Sequence, residues 1–385
     1  MTKIIPTHTS KQIFYNLDGI RGILAILVLF RHTTAFFGDA VHFQVAYLAV
    51  DVFFLMSGVV ISQSYEHKLK TGLSAVKFSL IRFIRIYPLY ILGTCFTVLS
   101  VLMGLSNNEP VQDNFFLLTL FAVFLMPNLF VHISSFPGNP IIIFPMNGPA
   151  WSLFFEMAAN IFYGMIVRFL SLSILIFIIA FSALGLAASI YFVSSNNLDV
   201  GWTIKQIPSG AFRVGYSFFT GVLLYRIFQT RQEKRTFYIN EKWSLLASWG
   251  LLALISAMLM YSPTESVAPY YDFIMVTLIF PILIYGAILV QPTGLTVRIF
   301  SFLGGVSYAI YALHSPLSHL IQDVSRDGGV LVDNYAPWGG IVFLGILITL
   351  CWLLDKYYDA PVRRFLLSMI KGKKSKNVES LRAVQ

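Results

Sequence analysis

The chain has 385 residues, of which 57% are apolar, 16% aromatic and only 12% charged. That balance lies outside the range of soluble globular domains, so the class is membrane and the net charge of +9 marks topology rather than nucleic-acid binding. Cys95 and Cys351 sit in apolar stretches without CxxC spacing, which supports neither a disulfide framework nor a zinc site.

Crossing roughly 30 Å of hydrocarbon takes about 20 apolar residues. Eleven stretches approach that length, near 20–37, 46–64, 86–105, 115–131, 151–167, 171–193, 211–228, 243–261, 271–290, 299–321 and 337–354. The residues ahead of the first are polar and no small-residue cleavage pattern follows it, so the first span is expected to stay in the mature protein. Basic clusters occupy 65–85, 229–242 and the tail after 355, and the positive-inside rule puts all three in the cytoplasm. Five apolar stretches lie between the first two clusters, where parity demands an even number. The stretch 115–131, short and ending in Met126-Pro127, is therefore expected to be re-entrant or partial. The predicted fold is an all-α polytopic membrane protein of about ten transmembrane helices with both termini cytoplasmic. It divides into a cytoplasmic segment 1–16, a membrane domain 17–360 and a basic cytoplasmic tail 361–385 held near an anionic leaflet.

Ionisable groups inside lipid are costly, so each one within a span is a site candidate. Arg21 and His32 are eleven residues apart in the first span, almost three turns, which sets them on one face about 16 Å apart. Arg21 is then expected near the cytoplasmic mouth and His32 near mid-membrane, with Arg31 turned away as a separate contact. Read as structure, Arg21 anchors the helix at the headgroups and His32 bonds a neighbouring carbonyl; read as chemistry, His32 is a near-neutral proton acceptor. In the second span Asp51 and Gly58 share a face. Gly58 suits close helix packing, Ser57 a bond back to its own helix, and Asp51 the orienting of a His or Arg.

Arg82 and Arg85 in "RFIRIYPLY" stand at i and i+3 just before a span, a spacing that grips phosphate oxygens or rests on lipid headgroups. Pro88 suits a helix start or kink there. In "PAWSLFFEMAANIFY" Ser152, Glu156 and Asn160 form a polar stripe, and a carboxylate this far inside a span has to be protonated, paired or facing water. Ser307, Tyr311, His314 and Ser318 form a second stripe that serves helix contacts as readily as chemistry, with His314 toward the outer side. No nucleotide-binding GxxxxGKS/T loop, HExxH or GxSxG elbow is present, and no metal is indicated.

In order and spacing, "YNLDGIRGILAILVLFRH", "DVFFLMSGVVIS", "RFIRIYPLY", "WSLFFE" and "SYAIYALHSP" resemble the acyltransferase-3 family of membrane O-acyltransferases over nearly the whole chain. The closing "YYDAPVRR", with Asp359 in the acidic position, resembles the family's ending as well. The resemblance implies a ten-helix core that takes an acyl group, most often acetyl, from cytoplasmic acyl-CoA to a hydroxyl of a cell-surface or lipid-linked glycan, or of a macrolide-like small molecule. On that reading Arg21, Arg82 and Arg85 bind the acyl-CoA phosphates. His32 is the general base, and Glu156 or Asp51 orients it. Asp18, Ser57, Tyr311 and His314 support, with Ser57, Tyr311 and His32 itself each open as an acyl carrier. Some members carry a hydrolase-like carboxy-terminal domain; with no Gly-Asp-Ser block in this sequence, the acceptor is expected to be acylated directly or by a separate periplasmic partner. The expected location is a bacterial inner membrane. A transporter or flippase is the competing reading, because intramembrane His, Asp, Glu and Arg also mark transport paths, although no inverted repeat is visible.

Overall fold

Backbone groups in lipid have no water to bond to, and this chain satisfies them with helices. The computed structural model describes residues 12–38, 43–105, 113–131, 141–193, 196–232 and 241–371, and among the described residues no β-strand is formed. Most of the predicted segment 1–16 and the tail beyond 371 lie outside them, as do parts of the loops after residues 105, 131 and 232.

Helix α1 runs Tyr15–His32, α2 Ala49–Lys70 and α3 Ala75–Leu102. A short α4, Phe115–Val123, precedes α5 at Ala150–Ile166, α6 at Leu172–Phe192 and α7 at Ile207–Gln232. Next come α8, Glu241–Met260, α9, Ala268–Leu289, and α10, Gly294–Asp327. The last span, α11 at Trp338–Leu354, widens over Asp355–Asp359 and continues as α12, Ala360–Lys371.

Seven helices among the described residues are long and apolar enough to cross a membrane, which makes this a multi-pass membrane protein. Helices α1, α5 and α7, of 18, 17 and 26 residues, are of comparable length but carry the charged groups from which the site is built. The stretch 115–131 forms only the nine residues of α4, about 14 Å of helix, too short to cross. Enclosure is graded across the bundle. The span Gln44–Lys70 has 83% of its apolar window buried, against 22% for the span from Trp338, so polar groups on α2 face protein while α11 faces lipid.

Close helix approach depends on two reciprocal glycines. A Cβ on Gly58 would stand 2.0 Å from the Phe218 carbonyl oxygen and one on Gly221 2.1 Å from that of Leu55, so α2 and α7 meet backbone to backbone. On α10, Pro316 offers no N–H to the Ala312 carbonyl one turn back; Asn147 Nδ2 donates to it at 3.4 Å and ties the loop before α5 to that helix.

Two boundaries differ from the sequence reading. Ser74 caps α3, its hydroxyl accepting the Lys77 N–H at 3.2 Å, so the helix starts at Ala75 instead of 86 and holds Arg82, Arg85 and Pro88 in its interior. Helix α1 stops at His32, where the sequence reading carries it to 37. There the His32 ring takes the Val28 carbonyl at 2.8 Å and the Thr33 hydroxyl donates to Leu29 at 2.8 Å, each competing for a helical acceptor. His32 therefore stands at the far end of α1 rather than midway along it.

Candidate active site

Helices α1, α3 and α5 bring their charged groups to one small chamber. Arg21, Arg82, Arg85 and Glu156 line a cavity of about 170 Å³, with Ser57 of α2 and Tyr308 of α10. Glu156 Oε1 accepts from the Ser57 hydroxyl at 2.7 Å and pairs with Arg82 at 3.2 Å, so Ser57 turns onto Glu156 and not back to its own helix. Arg21 pairs with Asp18 one turn back at 3.3 Å. Arg85 lies 3.7 Å from the buried carboxylate of Asp359, and its guanidinium sits 5.5 Å from the Tyr308 ring centroid. The lining itself presents three guanidiniums and one carboxylate, with Asp18 and Asp359 outside it, so the charge that faces the chamber is mainly positive and suits an anion. Asn160 donates to the Glu156 carbonyl at 2.9 Å and stays out of the chamber.

A second cavity, about 800 Å³, opens at the other end of α1. His32 is exposed to it. With its Nδ1 2.8 Å from the Val28 carbonyl, the proton is assigned to that nitrogen and Nε2 is left as the basic atom. Buried His314 of α10 backs it, ring centroid to ring centroid 5.3 Å, with its own Nδ1 3.0 Å from the Ile310 carbonyl. Arg31, turned away in the sequence reading, lines the same cavity, paired with Asp199 at 2.5 Å beside the Tyr47 ring. Across the cavity Asp323 accepts from Ser100 at 2.6 Å and lies 3.7 Å from Arg326. Trp151 and Trp202 add aromatic faces to a lining that mixes these charged groups with apolar side chains such as Val28, Ile142 and Phe144.

Neither carboxylate expected to orient His32 bonds to it. Asp51 is 1% exposed and pairs at 2.6 Å with Arg213 of α7, which is fully buried. A buried carboxylate loses solvation that only an opposite charge at contact restores, and Arg213 supplies it. Arg213 also donates to the Val200 and Tyr47 carbonyls, both at 2.8 Å. Glu156 belongs to the small chamber, with Arg82 and Ser57. The group that fixes the His32 ring is the Val28 carbonyl.

Asp272 of α9 accepts from the Tyr47 hydroxyl at 2.7 Å and from the Leu198 N–H at 2.8 Å. Together Arg213 and Asp272 pin the loop that carries Asp199 and Trp202 against the larger cavity. Both lie in apolar runs and could have been found by the rule that singles out Asp51. Asp199 lies in a polar connection, where no such signal exists.

The model of the acyltransferase-3 family, described as an acyltransferase domain, matches residues 14–356. Protein 2 in the picA locus of Rhizobium radiobacter is 35% identical over 159 residues, covering 39% of this chain and 81% of that protein. No solved structure matches the chain.

Proposed function

The chain belongs to the acyltransferase-3 family, and from that premise we propose that it transfers an acyl group, most simply acetyl, from an acyl-CoA held in the small chamber to a hydroxyl presented in the large one. The observation that carries this reading is the segregation of charge and base along α1. Arg21, Arg82 and Arg85 suit the donor's phosphates, and the free Nε2 of His32 stands about 16 Å farther along the same helix. At about 170 Å³ the small chamber is below the roughly 300–1,000 Å³ that encloses a drug-sized ligand. It takes the slender pantetheine arm and leaves the nucleotide at the mouth beside the basic segment 65–85, the cytoplasmic face by the positive-inside rule.

His32 Nε2 takes the proton as the acceptor oxygen bonds to the thioester carbonyl carbon. The C–S bond breaks, and the proton passes to the departing sulfur of CoA. Glu156 holds Arg82 in place for the donor, and Asp18 does the same for Arg21. The 800 Å³ cavity, with the charged pairs of Arg31 with Asp199 and Arg326 with Asp323 and two tryptophan faces, suits a sugar ring, so the acceptor is a cell-surface or lipid-linked glycan at an inner membrane.

Release of free CoA from acetyl-CoA by the purified protein, with and without a lipid-linked saccharide fraction, tests this. Release should depend on the acceptor fraction and fall by about 10²–10⁴-fold in His32→Ala. Folded protein that releases no CoA under either condition would overturn the reading in favour of transport.

A further inference from the structure

The two cavities meet at one wall. Val50 and Tyr311 line both. The Tyr311 hydroxyl lies 2.6 Å from Ser152 Oγ and 3.4 Å from the Pro149 carbonyl, and the Phe53 ring stands edge-on at 5.4 Å. Ser152 is one turn from Glu156 on α5 and lines the small chamber, whereas Trp151 beside it lines the large one. On α10, Tyr311 is three residues from His314, which backs His32. The wall thus lies between the guanidiniums and the imidazole.

Of the two shared side chains, Val50 is β-branched and stiff within its helix, while Tyr311 turns about two bonds and is held by one short hydrogen bond and one aromatic edge. We propose that Tyr311, latched to Ser152, is the specificity-determining partition of this protein: its ring closes the small chamber from the large one, and the gap it opens on turning sets which acyl group reaches His32. Closed, the ring keeps the water of the large cavity away from a thioester in the small chamber and so suppresses hydrolysis. The acyl part of this inference rests on the function proposed above. The partition itself can be tested with no donor present.

The sensor is Ser57→Cys in a Cys95→Ala, Cys351→Ala background, which places a thiol on the small chamber. The probe is an anionic, membrane-impermeant methanethiosulfonate applied to one face at a time, using intact cells and inverted vesicles. With Tyr311 in place the thiol should react only from the face bearing the basic segment 65–85. In Tyr311→Ala, reaction from the opposite face should appear at least about tenfold above that background, with Tyr311→Phe, which keeps the ring and loses the latch, in between. Ser152→Ala removes the same latch without touching the ring and serves if Tyr311→Ala does not accumulate.

Equal reaction from both faces with Tyr311 intact would overturn the partition, as would an unchanged far-face rate in folded Tyr311→Ala and Ser152→Ala proteins. A protein that fails the CoA-release test but shows this labelling pattern has the partition without the acyltransferase chemistry. Where both hold, Tyr311→Ala should accept longer acyl-CoA donors and hydrolyse acetyl-CoA in the absence of acceptor.

Discussion

At the scale of single residues, Asp51 and Arg85 are both charged groups within the bundle but differ in what surrounds them. Asp51 and Arg213 are buried together at 2.6 Å and neither lines either of the two cavities, so removing one charge strands the other in a dry interior. Asp51→Asn should therefore cost about 3–5 kcal/mol of stability, read as a lower thermal midpoint in detergent, and Asp51→Asn/Arg213→Gln should recover much of it. An unchanged midpoint with lost turnover would return Asp51 to the chemistry. Arg85 instead faces the small chamber with its side chain 38% exposed and only a long 3.7 Å contact to Asp359. It is free to meet an anion. Losing one charge-assisted contact of about 1.5–3 kcal/mol should raise the half-saturating acyl-CoA concentration by roughly tenfold or more in Arg85→Ala, with the maximal rate nearly unchanged. A saturation curve that superposes on the wild type would leave this arginine as a headgroup contact.

At the scale of helices, the contact between α2 and α7 sets where the site's walls stand, because α2 carries Ser57 and Asp51 and α7 carries Arg213. Gly58→Ala places a methyl group 2.0 Å from a backbone oxygen that cannot move without moving α7. Thermal unfolding should show a loss of about 1–3 kcal/mol, whereas Gly250→Ala on α8, whose Cβ would meet nothing within 4 Å, should be neutral or better. Gly58 was legible in the sequence as a packing residue, as were the apolar cores of the spans, because hydropathy and small residues act locally. The ends were not. Helix α3 begins early because of one serine cap, and α1 stops where two side chains take its carbonyls, effects smaller than the hydropathy of the run. Pairings were hidden for another reason: Ser57 and Glu156 are 99 residues apart, and Asp51 and Arg213 162 apart, so no spacing along either helix announces them.

At the scale of the whole molecule, charge divides unevenly between the two cavities, and that division is the part of the site the sequence did convey. The arginines of "LDGIRG" and "RFIRIY" meet because two helices start at the same face, which alternation of the spans and the basic segment between them already implied. The lining of the large cavity draws instead on the loop around Asp199 and the far end of α10, which only the folded chain brings to His32. Among the described residues both partners of two ion pairs, Arg31 with Asp199 and Arg326 with Asp323, line the large cavity. The small chamber is lined by three arginines and one glutamate, with Asp18 and Asp359, the partners of Arg21 and Arg85, outside the lining. Salt should act on the two substrates differently. Raising ionic strength from about 0.05 M to 0.5 M shortens the screening length from roughly 14 Å to about 4 Å and weakens the pull of the small chamber on an anionic donor. The half-saturating acyl-CoA concentration should rise several-fold over that range, and that of an uncharged glycan acceptor should stay within about twofold, both measured by CoA release. Equal salt dependence for the two would mean that the donor does not approach through the arginine-lined chamber, and the direction of transfer along α1 would have to be reversed or abandoned.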